Sequence, residues 1–129
     1  MIVLDASVVV EMLGHSGDSA VVGLRLAKTR LVHAPYLVDI EVASAIRRHC
    51  AMGALTAHRA QQAMDDFLDM RILRHRHTPH LRRIWELREN FTAYDACYLA
   101  LTEALDATLL TRDTALASAR LRRGNVEVI

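Results

Sequence analysis

At 129 residues and 14.5 kDa, with 52% apolar and 24% charged residues, the chain has the size and composition of one globular domain, which excludes disorder. No apolar run approaches the ~20 residues of a membrane span, and the start MIVLDASVVV carries Asp5 inside its apolar stretch with no basic lead, unlike a signal peptide. The formal net charge of +1 gives no argument for nucleic acid by itself.

Ile2-Val3-Leu4 is a short, continuously apolar run that suits a strand covered on both faces. Ser7 to Leu13 reads as a short helix stopped by Gly14, and Asp18 as the cap of a second helix whose shared face is Ala20, Leu24 and Ala27. Leu31-Val32-His33 is a second strand ending at Pro35. Leu37 to Met52 is helical, with Gly53 just beyond its end. Thr56 caps the next helix, with Ala60, Ala63, Met64, Phe67 and Leu68 as its inner face. Ile72-Leu73 is a weak third strand. Thr78-Pro79 starts a helix with Leu81, Ile84 and Trp85 inward, and Thr92 starts another that runs to about Leu105. Ala107 to Thr111 is a fourth strand, Asp113 opens a last helix, and Val126 to Ile129 is a final strand. Strands alternating with helices predict an α/β fold, a mostly parallel sheet covered on both sides, in one domain spanning residues 1–129. Ligands of such sheets sit beyond the carboxyl ends of the strands. Cys50 and Cys97, at no metal or redox spacing and within helical patterns, are expected as buried free thiols of a cytoplasmic protein.

The informative residues are acids in apolar company. Asp5 follows the first strand directly, where an unpaired carboxylate costs several kcal/mol to bury; the competing reading is a cap for the helix after it. Glu41, on LVDIEVASAI, has Leu37, Val38, Ser44 and Ala45 as its neighbours one turn away, and is either a site acid or a solvated edge. Asp95 lies in AYDACYLAL, apolar almost all round and therefore a buried helix, unless it serves as a short capping-box partner of Thr92. Asp113 ends LLTRD just after a strand, as a site acid or an N-cap, and Thr111 stands two residues before it with a hydroxyl suited to orient a neighbouring acid.

Taken together, Asp5 and Asp113 follow strands at the ligand end of the sheet, and Asp95 and Glu41 lie early in helices that begin near it. Four gathered carboxylates repel one another and are pushed toward protonation, a penalty that a divalent cation removes. All-oxygen ligation selects a hard ion, Mg²⁺ with Mn²⁺ as its substitute, and such ions hydrolyse phosphodiesters by acidifying a water and stabilising the leaving oxygen.

The ordered set MIVLDASVVV, EVASAIRR, TAYDACYLAL and LLTRDTALA resembles PIN-domain ribonucleases, and specifically the VapC-type toxins of bacterial toxin–antitoxin pairs, over essentially the whole chain. The resemblance implies a PIN-like three-layer sandwich with five parallel strands. It implies an acidic metal site of Asp5, Glu41, Asp95 and Asp113 supported by Ser7 and Thr111. It further implies a Mg²⁺- or Mn²⁺-dependent endoribonuclease, homodimeric, held by a cognate VapB-like antitoxin. The alternatives within the resemblance are a non-toxin RNA-processing nuclease and an RNA-binding module without catalysis, the latter disfavoured by the intact acids.

All basic residues but Lys28 are arginine, the side chain that forks onto phosphates, though genome composition explains the bias equally well. Arg47, Arg48 and His49 lie two turns beyond Glu41 and are expected to rim the crevice and hold substrate phosphates, with Arg112 as a further candidate. His75, His77 and His80 are split by a helix start and lack a completing ligand, so a solvated basic surface is preferred to zinc; Arg71, Arg74, Arg76, Arg82 and Arg83 beside them suit RNA backbone contact. A response-regulator receiver would need paired acids after the first strand and a strand-end lysine. A haloacid-dehalogenase phosphatase would need Asp where Ser7 stands.

Overall fold

The computed structural model describes residues 1–14, 19–29 and 31–129; the predicted Asp18 cap lies outside them. Five strands, β1 (Ile2–Leu4), β2 (Val32–Pro35), β3 (Ile72–His75), β4 (Thr108–Thr111) and β5 (Asn125–Val128), form one sheet in the order β3-β2-β1-β4-β5, every pair parallel. The helices described are α1 (Ala6–Leu13), α2 (Ser19–Leu26), α3 (Leu37–Ala51), α4 (Ala57–Asp69), α5 (Leu81–Glu86) and α6 (Ala93–Leu105).

The alternation of strand side chains divides the interior in two. Ile2, Leu4 and Leu110 face one way, into a core with Val8, Val9, Val42, Ile46 and Phe67 of α1, α3 and α4. Val3 and Leu109 face the other, against Tyr98, Leu99 and Leu101 of α6. The central strand is therefore apolar at successive positions because both its faces are covered. From the centre the chain winds outward in opposite directions, β1 toward β2 and β4 toward β5, which opens a crevice at the carboxyl ends of β1 and β4.

Helix stripes at the margins differ from the sequence expectation. On α2 the buried residue is Val22, with Leu26 beside it, while Ala20, Ala27 and Leu24 (78% exposed) face out. Val22 and Leu26 are also one turn apart, and tertiary contact with α1 chooses between two stripes of similar apolarity. On α4, Ala63 and Phe67 are buried with Ala60 and Met64 at the edge, but Leu68 is exposed. On α5 only Ile84 is buried; Leu81 is exposed, and Trp85, 68% exposed, carries the Arg88 guanidinium 4.6 Å from its ring centroid. A 3₁₀ turn (Thr78–His80) precedes α5, and the helix expected after Asp113 is also a 3₁₀ turn (Thr114–Ser118). Cys97 is buried, whereas Cys50 is half-buried, and both are free.

The return to β5 depends on Gly124, which has φ +72° and whose absent Cβ would lie 2.4 Å from the Ala107 carbonyl oxygen. Its N–H donates to Asp106 Oδ1 at 2.9 Å, and the next amide, of Asn125, donates to that Ala107 oxygen at 3.0 Å. Gly124→Ala meets backbone rather than a flexible side chain, so it destabilises the fold by about 2–3 kcal/mol, read as a lowered urea midpoint with an unchanged slope.

Candidate active site

At the crevice Asp5 stands where β1 gives way to α1. Its backbone occupies the N-cap position of α1, but its side chain makes no capping bond, so the cap reading of this acid does not hold. Instead Asp5 Oδ2 accepts two hydroxyl protons, from Ser7 Oγ at 2.7 Å and Thr111 Oγ1 at 2.6 Å. Each hydroxyl has lone pairs left over. Ser7 Oγ accepts the Arg112 N–H at 3.1 Å, and Thr111 Oγ1 accepts the Asp113 N–H at 3.0 Å. One carboxylate oxygen thus ties the end of β1 to the end of β4, with charge-assisted bonds as the stronger links. Thr111→Val removes the buried donor while keeping the shape. It lowers stability by about 2 kcal/mol, read as the urea midpoint, and leaves Asp5 less firmly aimed.

Asp113 does cap: Oδ1 accepts the Ala115 N–H at 2.9 Å, while the residue also lines the crevice. Asp95 is the third residue of α6, and its N–H donates to Thr92 Oγ1 at 3.2 Å, the first half of the expected capping box. Burial chiefly, and the charges of Asp113 and Asp5 after it, hold the Asp95 carboxyl above its ordinary range against the opposing hydrogen bond from Thr92. Glu41 is perturbed further. Burial first, then the charges of Asp5 and Asp95, push it up to about 7.

These four acids line one cleft of about 480 Å³, with Ser7, Ser44, Arg48, His49 and Arg112 also on its walls. The four come from β1's end, α3, α6 and β4's end, segments far apart in the chain. Arg48 and His49 rim the cleft as the sequence predicts. Arg112 does so too, with Nη1 3.4 Å from Glu11 Oε2 on α1. Arg47 does not. One helical step of 100° turns it away, into a groove between α3 and α4 beside Ala43, Ile46 and Met64. Ser44 was missed as a lining residue, although it falls three residues after Glu41 and so on the same helix face.

The basic stretch near β3 is more occupied than the sequence suggests. Arg74 Nε pairs with Asp39 at 2.7 Å, and Arg83 grips Glu103 through Nε and Nη2, each at 2.9 Å. His75, expected in solvent, is half-buried with Nε2 2.9 Å from His33 Nδ1, and burial lowers both histidines, His33 further by the charge of His75 and His75 by that of His80.

The cleft fits a hard divalent cation by two tests. Its acidic donors are all carboxylate oxygens, and two of the four are held above their usual range partly by their neighbours' charges, the condition that an added positive charge relieves. Among the described residues no three such side chains stand together as a closed ligand set. Of the four cleft acids, Asp5 is the one held by two hydroxyls.

Comparison with known proteins agrees with this geometry. The PIN-domain profile matches residues 2–121. Ribonuclease VapC1 of Mycobacterium tuberculosis is 42% identical over 118 residues, covering 91% of this chain and 89% of that protein. Ribonuclease VapC12 of the same organism is 34% identical over 129 residues, 100% of this chain and 99% of the relative. Among solved structures, VapBC2 of Rickettsia felis bound to promoter DNA superposes with a TM-score of 0.72 at 19% identity, covering 99% of this chain and 98% of the other. VapC20 of Mycobacterium tuberculosis, described as a sarcin-ricin loop cleaving toxin, gives 0.67 at 16% identity, over 95% and 99%. With the parallel five-stranded sheet, the acid-lined cleft and identity to VapC ribonucleases over nearly its full length, the chain belongs to the PIN-domain family.

Proposed function

We propose that this protein is a Mg²⁺-dependent endoribonuclease, with Mn²⁺ as a working substitute. In this reading it hydrolyses RNA phosphodiesters as the toxin of a VapBC-like pair and is held by a VapB-like antitoxin. The observation that carries this reading is the meeting of Asp5, Glu41, Asp95 and Asp113 in one cleft. It is supported by relatives named VapC ribonucleases and by the general divalent-metal dependence of PIN ribonucleases. The antitoxin part is supported by the likeness to a VapBC pair. We further infer one domain over residues 1–129, a homodimer, and a cytoplasmic setting; among the described residues no helix is long and apolar enough to cross a membrane.

In this reading Asp5, Asp95, Asp113 and Glu41 hold the cation. When bound, the cation would supply a water of lowered pKa and positive charge for phosphodiester hydrolysis. The protein's own groups do the rest. Ser7 and Thr111 keep the Asp5 carboxylate aimed, and Arg48 and Arg112 on the cleft wall bind substrate phosphates. Without the cation, burial and then the charges of Asp5 and Asp95 hold Glu41 at about 7, and the cation's charge would bring it back down to the ionised form that binds.

The test is incubation of the purified protein with total RNA, followed by mapping of new RNA ends. Discrete internal cuts are expected, and RNA left whole in Mg²⁺ and in Mn²⁺ overturns the reading. The protein isolated from its own cells should copurify with a small, tightly bound partner. A partner-free protein that still cuts RNA supports the general RNA-processing nuclease instead.

A further inference from the structure

Among the described residues, two buried side-chain polar atoms have no hydrogen-bond partner: Glu41 Oε1 and the Tyr98 hydroxyl. They are chemically complementary. An ionised carboxylate oxygen only accepts, and a phenol carries a proton to give.

Tyr98 lies on α6 one turn beyond Asp95 and is only 1% exposed, its ring packed with Val3, Leu99 and Leu101. Its hydroxyl lies within electrostatic reach of Glu41 and Asp5. Asp95, one turn earlier on the same helix, lines the cleft together with Glu41. The Ala6 N–H at the start of α1 acts on the phenol oxygen as a donor, and the hydroxyl's own proton has no acceptor. Burial above all, then the charges of Glu41 and Asp5, raises this phenol far above its ordinary range, so it remains a donor at every working pH.

The other acids already have donors. Asp5 takes two hydroxyls, Asp113 an amide and Asp95 the Thr92 side chain, which leaves Glu41 Oε1 as the oxygen still wanting one. A hydroxyl buried with nothing to bond costs about 1–3 kcal/mol, and phenylalanine would fill the same core space without it. The last torsion of a Glu side chain is broad and soft, so Glu41 Oε1 can turn without moving the backbone.

We propose that Tyr98 is a positioning residue for Glu41: its hydroxyl donates to Glu41 Oε1 in the working site and fixes the carboxylate against the cleft. The inference rests on Glu41 serving in the proposed ribonuclease site, and the test separates the two. Tyr98→Phe in the full-length protein weakens Mn²⁺ binding, followed calorimetrically, by about 10-fold, the usual effect of losing a partner that orients a ligand. In the Glu41→Gln background the same change has no further effect on Mn²⁺ affinity. With RNA, kcat falls by about 10-fold while KM holds. Unchanged Mn²⁺ affinity, or full additivity with Glu41→Gln, overturns the proposal.

A readout independent of both metal and activity is the tyrosine Raman doublet of the Tyr36→Phe/Tyr94→Phe protein, which keeps Tyr98 as its one tyrosine. It should report a donating phenol that is lost in Glu41→Ala, and a donor signature that survives Glu41→Ala assigns the proton elsewhere and also overturns the proposal. This measurement decides the case even if Tyr98→Phe does not fold. If the protein cuts no RNA, the ribonuclease reading falls while the Raman and Mn²⁺ results still decide the role of Tyr98.

Discussion

Asp95→Asn lowers RNA cleavage by about 1,000-fold or more and leaves the protein folded, with a melting temperature equal to or slightly above that of the wild type. The activity loss follows from removing one of the negative charges that gather at the cleft, in a side chain of unchanged shape. The retained stability follows from what Asp95 contributes to the fold. Its structural bond to Thr92 Oγ1 uses the backbone N–H, which Asn keeps. Its carboxyl sits above its ordinary range, chiefly through burial, so the folded state bears a cost for its charge that the substitution relieves. Asp5→Asn is a less clean probe because two hydroxyls and the β1–β4 junction depend on the Asp5 charge. Purified wild-type and Asp95→Asn proteins, assayed side by side on RNA and by circular dichroism, check the claim. Cleavage by Asp95→Asn at near wild-type rate would falsify the role given to the cleft.

The sheet was legible in the sequence because its strands are buried on both faces and so appear as unbroken apolar runs between turn signals, Ile2-Val3-Leu4 most plainly. The acids were legible by contrast with that background: a charge immediately after such a run, or inside the otherwise apolar AYDACYLAL, has few reasons to be there. Helix faces at the margin were less legible. Leu24 and Trp85 carry as much apolar surface as core residues, yet α2 and α5 each bury one residue, and single-sequence periodicity does not say which stripe a neighbour will cover. Arg47 and Arg48 were inseparable in sequence because deciding between them needs the rotation of α3 about its axis. Asp113 proved to be both cap and cleft residue, so the two readings of it were not alternatives. Tyr98 gave no signal, since a tyrosine in an apolar helix looks like any core aromatic until its hydroxyl is found buried without a partner.

Chelation with EDTA abolishes cleavage, a loss of about 1,000-fold or more, and Mg²⁺ or Mn²⁺ restores it. The same cation raises the melting temperature, and it does so more at pH 8 than at pH 5. The sign comes from Glu41. Its folded value of about 7 lies above the 4.5 of an unhindered carboxyl, so between these pH values the unfolded chain releases a proton that the folded one keeps. The contribution of Glu41 to stability is thus fully present below about 4.5 and is lost as pH rises through about 7. At pH 8 the cation-free protein carries the whole charge repulsion and has most to gain from a cation; at pH 5 the cation must first displace the Glu41 proton. Glu41→Gln removes the repulsion in advance. Allowing for the part of the side chain that solvent reaches, this is worth roughly 1 kcal/mol. The cation-free variant therefore melts about 3–5 °C higher than wild type at pH 8, the two converge at pH 4, and the cation-induced rise shrinks in the variant. Calorimetric melts of both proteins at the three pH values, with EDTA and with Mg²⁺, supply the comparison. Metal-independent cleavage, or a Glu41→Gln protein that melts no higher than wild type at pH 8, contradicts the electrostatic account of the cleft.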